Sequence, residues 1–262
     1  PEVLQTLSRA QTLNQQLAKP PDPLLLRAAA IAALNLGKFQ QGLAFGDQLL
    51  QLADEQDDPT LLVEGHYVLG VTLSWAGSFT RSRVQLEQAL AGYDPMYSAS
   101  HISRYSQDPG VICRCRLAFD LWCLGYVDQA QRAQNTGLAQ AQALGHPFSL
   151  AYALTWDAML HGVIGNLNSV LKSADAVIAL SEQHHLGLWS SWATVLRGWA
   201  LTEREPQQGV AEIRRGDEQM RAKGSVFLQP FVSFLLAKQL VKVGQIGHAI
   251  DLVSDAISSA NS

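Results

Sequence analysis

A chain of 262 residues that is 47% hydrophobic and 16% charged carries ample apolar material for an extended core, so disorder is expected only at its ends. Lys and Arg total 19 against 23 Asp and Glu, a net charge of −4 with no basic run, which argues against a phosphate-tracking surface and against nucleic acid as a partner. No apolar run reaches the roughly 18 residues of a membrane span, and residues 1–5 lack the basic and apolar regions of a leader, so a cytoplasmic protein without membrane contact is expected.

In chain order, residues 2–18 read as an amphipathic helix carrying Val3, Leu4, Leu7, Leu13 and Leu17, ended by the break Lys19-Pro20-Pro21-Asp22-Pro23. Residues 1–22 are expected to form a half repeat or capping helix. A start at Pro1 suggests a piece of something larger. Beyond it, Gly37, Gly77, Gly125, Gly165 and Gly244 each separate two apolar helical runs, at steps of 40, 48, 40 and 79 residues. Phe39, Phe79, Val127, Leu167 and Ile246 follow two residues after each glycine, and Arg204-Glu205-Pro206 supplies the punctuation missing from the last, double step. A small residue recurs seven positions before the turn, as Ala30, Gly70, Ala118, Ala158, Gly198 and Ala237, where two antiparallel helices need close approach. Asp58-Pro59, Asp94-Pro95 and Asp108-Pro109 are helix starts, the acid as N-cap and the proline in the first turn.

A period of about 40 residues predicts an all-α, right-handed superhelical solenoid of about six antiparallel helix pairs. The expected pairs are 23–55, 60–92, 109–143, 148–183, 188–222 and 227–260, within a single array over 1–262. The 48-residue step carries eight extra residues, placed in an inserted loop over 95–108. Insertions in repeat proteins cluster on one face and often serve binding.

The Gly-x-aromatic turn with its small residues resembles tetratricopeptide (TPR) repeats, with a period near 40 in place of 34. His101 with 105–111 (YSQDPGV), 121–126 (LWCLGY), 144–151 (LGHPFSLA) and 196–200 (LRGWA) is similar to the repeat arrays of bacterial STAND-class signalling ATPases of the MalT type, including those fused to nucleotide cyclases or protein kinases. This resemblance implies a cytoplasmic regulatory segment that gates its own upstream ATPase or effector domain by binding something. No Walker A sequence is present in the chain, so nucleotide chemistry would belong to another part of such a protein.

In TPR-like pairs the first helix lines the concave groove at 13, 10, 6, 3 and 2 residues before the turn. Those offsets select Glu64, Tyr67, Val71, Ser74 and Trp75, then Ile112, Cys115, Phe119, Trp122 and Cys123. Tyr152, Thr155, Met159, Gly162 and Val163 follow, then Trp192, Val195, Trp199, Thr202 and Glu203. The stripe is aromatic and nearly uncharged, and suits an apolar or ring-bearing ligand better than an acidic peptide tail. Packing between repeats is the alternative for each ring. Orienting polar groups are expected from His101, Arg104, Tyr105 and Gln107 of the insertion and from Arg197 beside Trp199, for which a salt bridge to an acid is the alternative. The ligand- or partner-binding set is therefore Tyr67, Trp75, His101, Arg104, Tyr105, Gln107, Phe119, Trp122, Tyr152, Trp192, Arg197 and Trp199.

Cys113 and Cys115 diverge on one helix and Cys123 lies turns away, so neither a metal site nor a disulfide framework is expected. With no catalytic constellation, no metal and no cofactor, the expected function is a non-enzymatic sensor that binds a small molecule or partner domain in its aromatic groove. The alternative is a protein–protein scaffold that binds a peptide or folded partner.

Overall fold

The computed structural model describes residues 21–225 and 228–260, together with Thr6 and Arg9; the helix expected over 2–18 thus lies almost wholly outside the described residues. Thirteen α-helices and one 3-10 turn make up the described secondary structure, with no strand among those residues. They are α1 (Pro23–Asn35), α2 (Phe39–Gln56), α3 (Pro59–Trp75), α4 (Phe79–Gly92), a 3-10 turn (Pro95–Tyr97), α5 (Ser98–Tyr105), α6 (Pro109–Cys123) and α7 (Val127–Leu144). Then come α8 (Pro147–Val163), α9 (Leu167–His184), α10 (Gly187–Leu201), α11 (Pro206–Ala222), α12 (Gln229–Lys242) and α13 (Ile246–Ala260). Apart from α5, these are the six expected hairpins.

The glycine spacing works through backbone geometry. Gly37, Gly77, Gly125, Gly165 and Gly244 all have φ between +70° and +88°, the left-handed conformation that ends one helix and redirects the chain into the next. The fifth turn does without it: Glu205 has φ −132° and Pro206 opens α11. Helix starts follow the aspartate-proline signal, with Asp58 accepting from the backbone N–H of Thr60 and Leu61, and Asp108 from that of Val111 at 2.8 Å.

Small residues set how closely the helices approach. A Cβ on Gly70 would lie 2.6 Å from the Leu86 side chain, and one on Gly46 would lie 2.6 Å from Leu69. The first contact closes a hairpin and the second joins neighbouring hairpins. The chain divides into two compact units, 1–153 and 154–262. In the first, α2 packs on α3 and α4 on α6; in the second, α9 packs on α10, so that in each unit hairpin stacks on hairpin.

The insertion departs from the expected loop. Asp94 caps the 3-10 turn by accepting from the Met96 N–H at 2.9 Å, and 98–105 continue as α5, closed by Ser106 at φ +58°. This helix lacks an apolar stripe to announce it because the face it buries is polar: Ser98 is 4% exposed and His101 3%.

Candidate functional site

In the first unit, α1, α3, α5 and the segment that follows α5 bring five polar side chains together. Arg27 of α1 donates from Nε to Glu64 Oε2 at 2.8 Å and from a terminal nitrogen to Gln107 Oε1 at 2.6 Å. The Tyr67 hydroxyl donates to that same Gln107 oxygen at 2.8 Å, and His101 Nδ1 lies 2.7 Å from the other Glu64 oxygen. Arg27 also stacks on the Tyr67 ring, 4.3 Å from its centroid. Arg27, Glu64, Tyr67 and His101 are all at most 4% exposed, so this ion pair is shielded from solvent. Burial opposes the Arg27 charge, yet the neighbouring Tyr67 and Glu64 outweigh it and raise the guanidinium pKa. Burial likewise pushes the Tyr67 phenol up to about 12, so it stays a hydrogen-bond donor at neutral pH.

A second anchor fixes the start and end of the insertion. Asp108 Oδ2 accepts from the Tyr93 hydroxyl at 2.8 Å and from Ser98 Oγ at 2.6 Å, while Gln140 Nε2 donates to Oδ1 at 3.1 Å. Asp108 is therefore a fully buried N-cap that also ties α5 to the hairpin before it.

A third network lies beneath the aromatic stripe. Asp120 accepts from Ser74 Oγ and Ser82 Oγ, each at 2.5 Å, and Arg116 donates to Ser74 while its guanidinium sits 4.5 Å from the Trp75 ring centroid. Desolvation raises the Asp120 pKa despite the opposing pull of Arg116 and the two serines. Above it, Trp75, Phe119, Trp122 and Cys123 are half-buried, with Phe119 and Trp122 centroids 5.9 Å apart. These side chains form the open part of the stripe. Burial pushes the Cys123 thiol up to about 11, and Cys113 well above its usual value.

Of the expected binding residues in this unit, Trp75, Phe119, Trp122, Tyr105 and Gln107 are partly accessible and Arg104 is exposed. Tyr67, His101 and Tyr152 are buried, at 2%, 3% and 8% exposure. In the second unit, Trp192 is 3% exposed, stacked on Trp189 at 5.7 Å and edge-on to Trp156 at 5.3 Å. Trp199 packs over Gly162, where a Cβ would lie 2.2 Å from its ring. Arg197 donates from Nε to Asp175 at 2.8 Å and also bonds Glu212, the acid partnership held open by the sequence. Here the rings pack between helices.

Arg27, Arg116 and Asp120 were not singled out by the sequence. Arg27 stands ten residues before Gly37, one of the groove offsets, and extending the stripe to the first hairpin selects it. Arg116 and Asp120 fall between the offsets. Among the described residues no group of His, Cys, Asp and Glu could hold a metal ion, and no helix is long and apolar enough to cross a membrane.

The closely spaced helix pairs have counterparts among solved structures. A Rap protein complexed with Competence and Sporulation Factor aligns over 98% of this chain and 70% of its own, with TM-score 0.75 and 10% identity. The chain has a TPR-like helical-repeat fold. Human IFIT1, as a dimer with m7Gppp-AAAA, aligns over 96% of this chain with TM-score 0.63 and 14% identity, and this chain spans only 54% of it. A monomeric IFIT1 mutant with Gppp-AAAA matches similarly, at TM-score 0.60 and 12% identity. At such identities the likeness concerns the fold alone. No protein-family model matches the sequence, and no curated protein matches it significantly.

Proposed function

We propose that the first unit is a non-catalytic recognition surface for a ring-bearing small molecule or a short peptide, and that binding there regulates an attached signalling ATPase or cyclase in the cytoplasm. One observation carries the recognition half: Trp75, Phe119 and Trp122 remain half-buried on the stripe although buried polar networks fix the helices around them. Exposed ring edges on a rigid floor offer stacking area at low entropic cost. Arg104, Tyr105 and Gln107 stand on the insertion as orienting groups, while Tyr67, His101 and Tyr152 support them from within. Trp192, Arg197 and Trp199 serve the second unit's packing on this reading.

The solved structures of like fold support a binding role by analogy, since one holds Competence and Sporulation Factor and the other m7Gppp-AAAA. For this chain, the net charge of −4 favours the uncharged or peptide ligand over the nucleic acid. The regulatory half rests on the resemblance to the STAND-class arrays. A thermal-shift screen with metabolites and short peptides, repeated on Trp122→Ala, tests the recognition half. A stabilising ligand lost on substitution supports it; a protein partner retained in a pull-down without any added metabolite supports the scaffold reading in its place.

A further inference from the structure

The last hairpin differs from all the others in what it leaves uncovered. α12 and α13 pack on each other through Ala237, Leu240 and Ala249. Beside that seam runs a groove of about 660 Å³ lined by Phe234, Val241, Ile246, Ile250 and Val253. Phe234 is 55% exposed, Val241 54%, Ile246 57%, Ile250 60% and, further along α13, Ile257 57%. A free surface seldom gathers so many large apolar side chains on one face.

The repeat supplies an internal control at Phe234 and Val253, whereas the places of Ile246 and Ile250 are half-buried or exposed in the earlier hairpins too. Phe234 stands ten residues before its turn glycine, and its counterparts Arg27, Tyr67, Cys115, Thr155 and Val195 are 4%, 2%, 1%, 0% and 0% exposed. Val253 stands nine residues after the turn and is 39% exposed; Leu86, Gln134 and Ala174, at the same place in the second, third and fourth hairpins, are 0%, 1% and 0% exposed, while Arg214 of the fifth is exposed. The first hairpin shows what covers such positions. Gly46 of α2, the counterpart of Val253, abuts Leu69 of α3, and Leu50, the counterpart of Ile257, lies 2.6 Å from where a Cβ on Gly65 of α3 would stand.

We propose that this groove is an inter-repeat interface whose occupant is the first helix of a further hairpin of the same kind, continuing the same polypeptide. The proposal is independent of the ligand reading given above. The occupant's chemistry follows from the register. Gly65, Cys113, Ala153, Ala193 and Val232 stand twelve residues before their turns in the second to sixth hairpins, all buried, so the occupant carries a residue no larger than valine there to admit Ile257. Its turn falls about 40 residues after Gly244.

The test compares the 262-residue chain with the same chain carrying its natural continuation, each with and without Val253→Glu. Val253 is 39% exposed, so the substitution leaves the shorter chain folded. The shorter chain is expected to bind an apolar-surface dye, to lose part of that signal with Val253→Glu, and to keep its Tm. The continued chain is expected to bind severalfold less dye, and Val253→Glu, now a buried unpaired charge, lowers its Tm by about 4 °C or more. The proposal is overturned if the continued chain tolerates Val253→Glu with unchanged dye binding, or if the reading frame stops at Ser262 or continues without such a helix. A concentration-dependent dimer that Val253→Glu dissociates in sedimentation also overturns it.

Discussion

Glu64 ties two helices of the first unit together, since one oxygen holds Arg27 of α1 and the other holds His101 of α5. Removing one partner of a buried ion pair costs about 3–5 kcal/mol because the remaining charge is stranded. Glu64→Gln is therefore expected to lose about that much in urea denaturation; a loss under 1 kcal/mol would mean that water reaches Arg27. Cys123 makes a second prediction at this scale. A thiol with a pKa of about 11 holds far less thiolate at pH 7 than a free cysteine near 8.5, so its alkylation is expected to be roughly 100-fold slower or more and to rise steeply above pH 9. Alkylation at the rate of a free cysteine would contradict the burial of that thiol.

At the scale of the elements, glycines with opposite surroundings separate close packing from helix propensity. Gly70→Ala sets a Cβ 2.6 Å from the Leu86 side chain and 3.2 Å from its backbone nitrogen, an overlap expected to cost about 1–3 kcal/mol. Gly247, in α13, has open space where its Cβ would stand, and Gly247→Ala is expected to be neutral or to stabilise by up to about 1 kcal/mol. Equal effects in thermal melts would deny Gly70 its packing role. The hairpins were legible in the sequence because a positive φ at a fixed period leaves few residues but glycine, and because aspartate before proline announces a helix start. The helix α5 was hidden: it buries Ser98 and His101 against carboxylates, so no apolar period marks it. The rings illustrate the same limit, since spacing places both Trp122 and Trp192 on the groove stripe, three and thirteen residues before their turns, while only the neighbouring Trp156 and Trp189 make Trp192 part of the packing between helices. Arg116 and Asp120 escaped notice because they lie between the stripe offsets, although together they brace Ser74 and the floor under Trp75.

For the whole molecule, the central claim is that the open aromatic stripe of the first unit is a recognition surface. Isothermal titration with the compound or peptide that most raises Tm in a screen tests it most directly, using the intact chain, Trp122→Ala, and Ile250→Glu as a control far along the sequence. Trp122→Ala is expected to weaken binding at least tenfold, about 1.4 kcal/mol, with helical content unchanged, while Ile250→Glu leaves the affinity as it was. A ligand bound equally well by the intact chain and by Trp122→Ala, or no ligand that stabilises the intact chain at all, would contradict it.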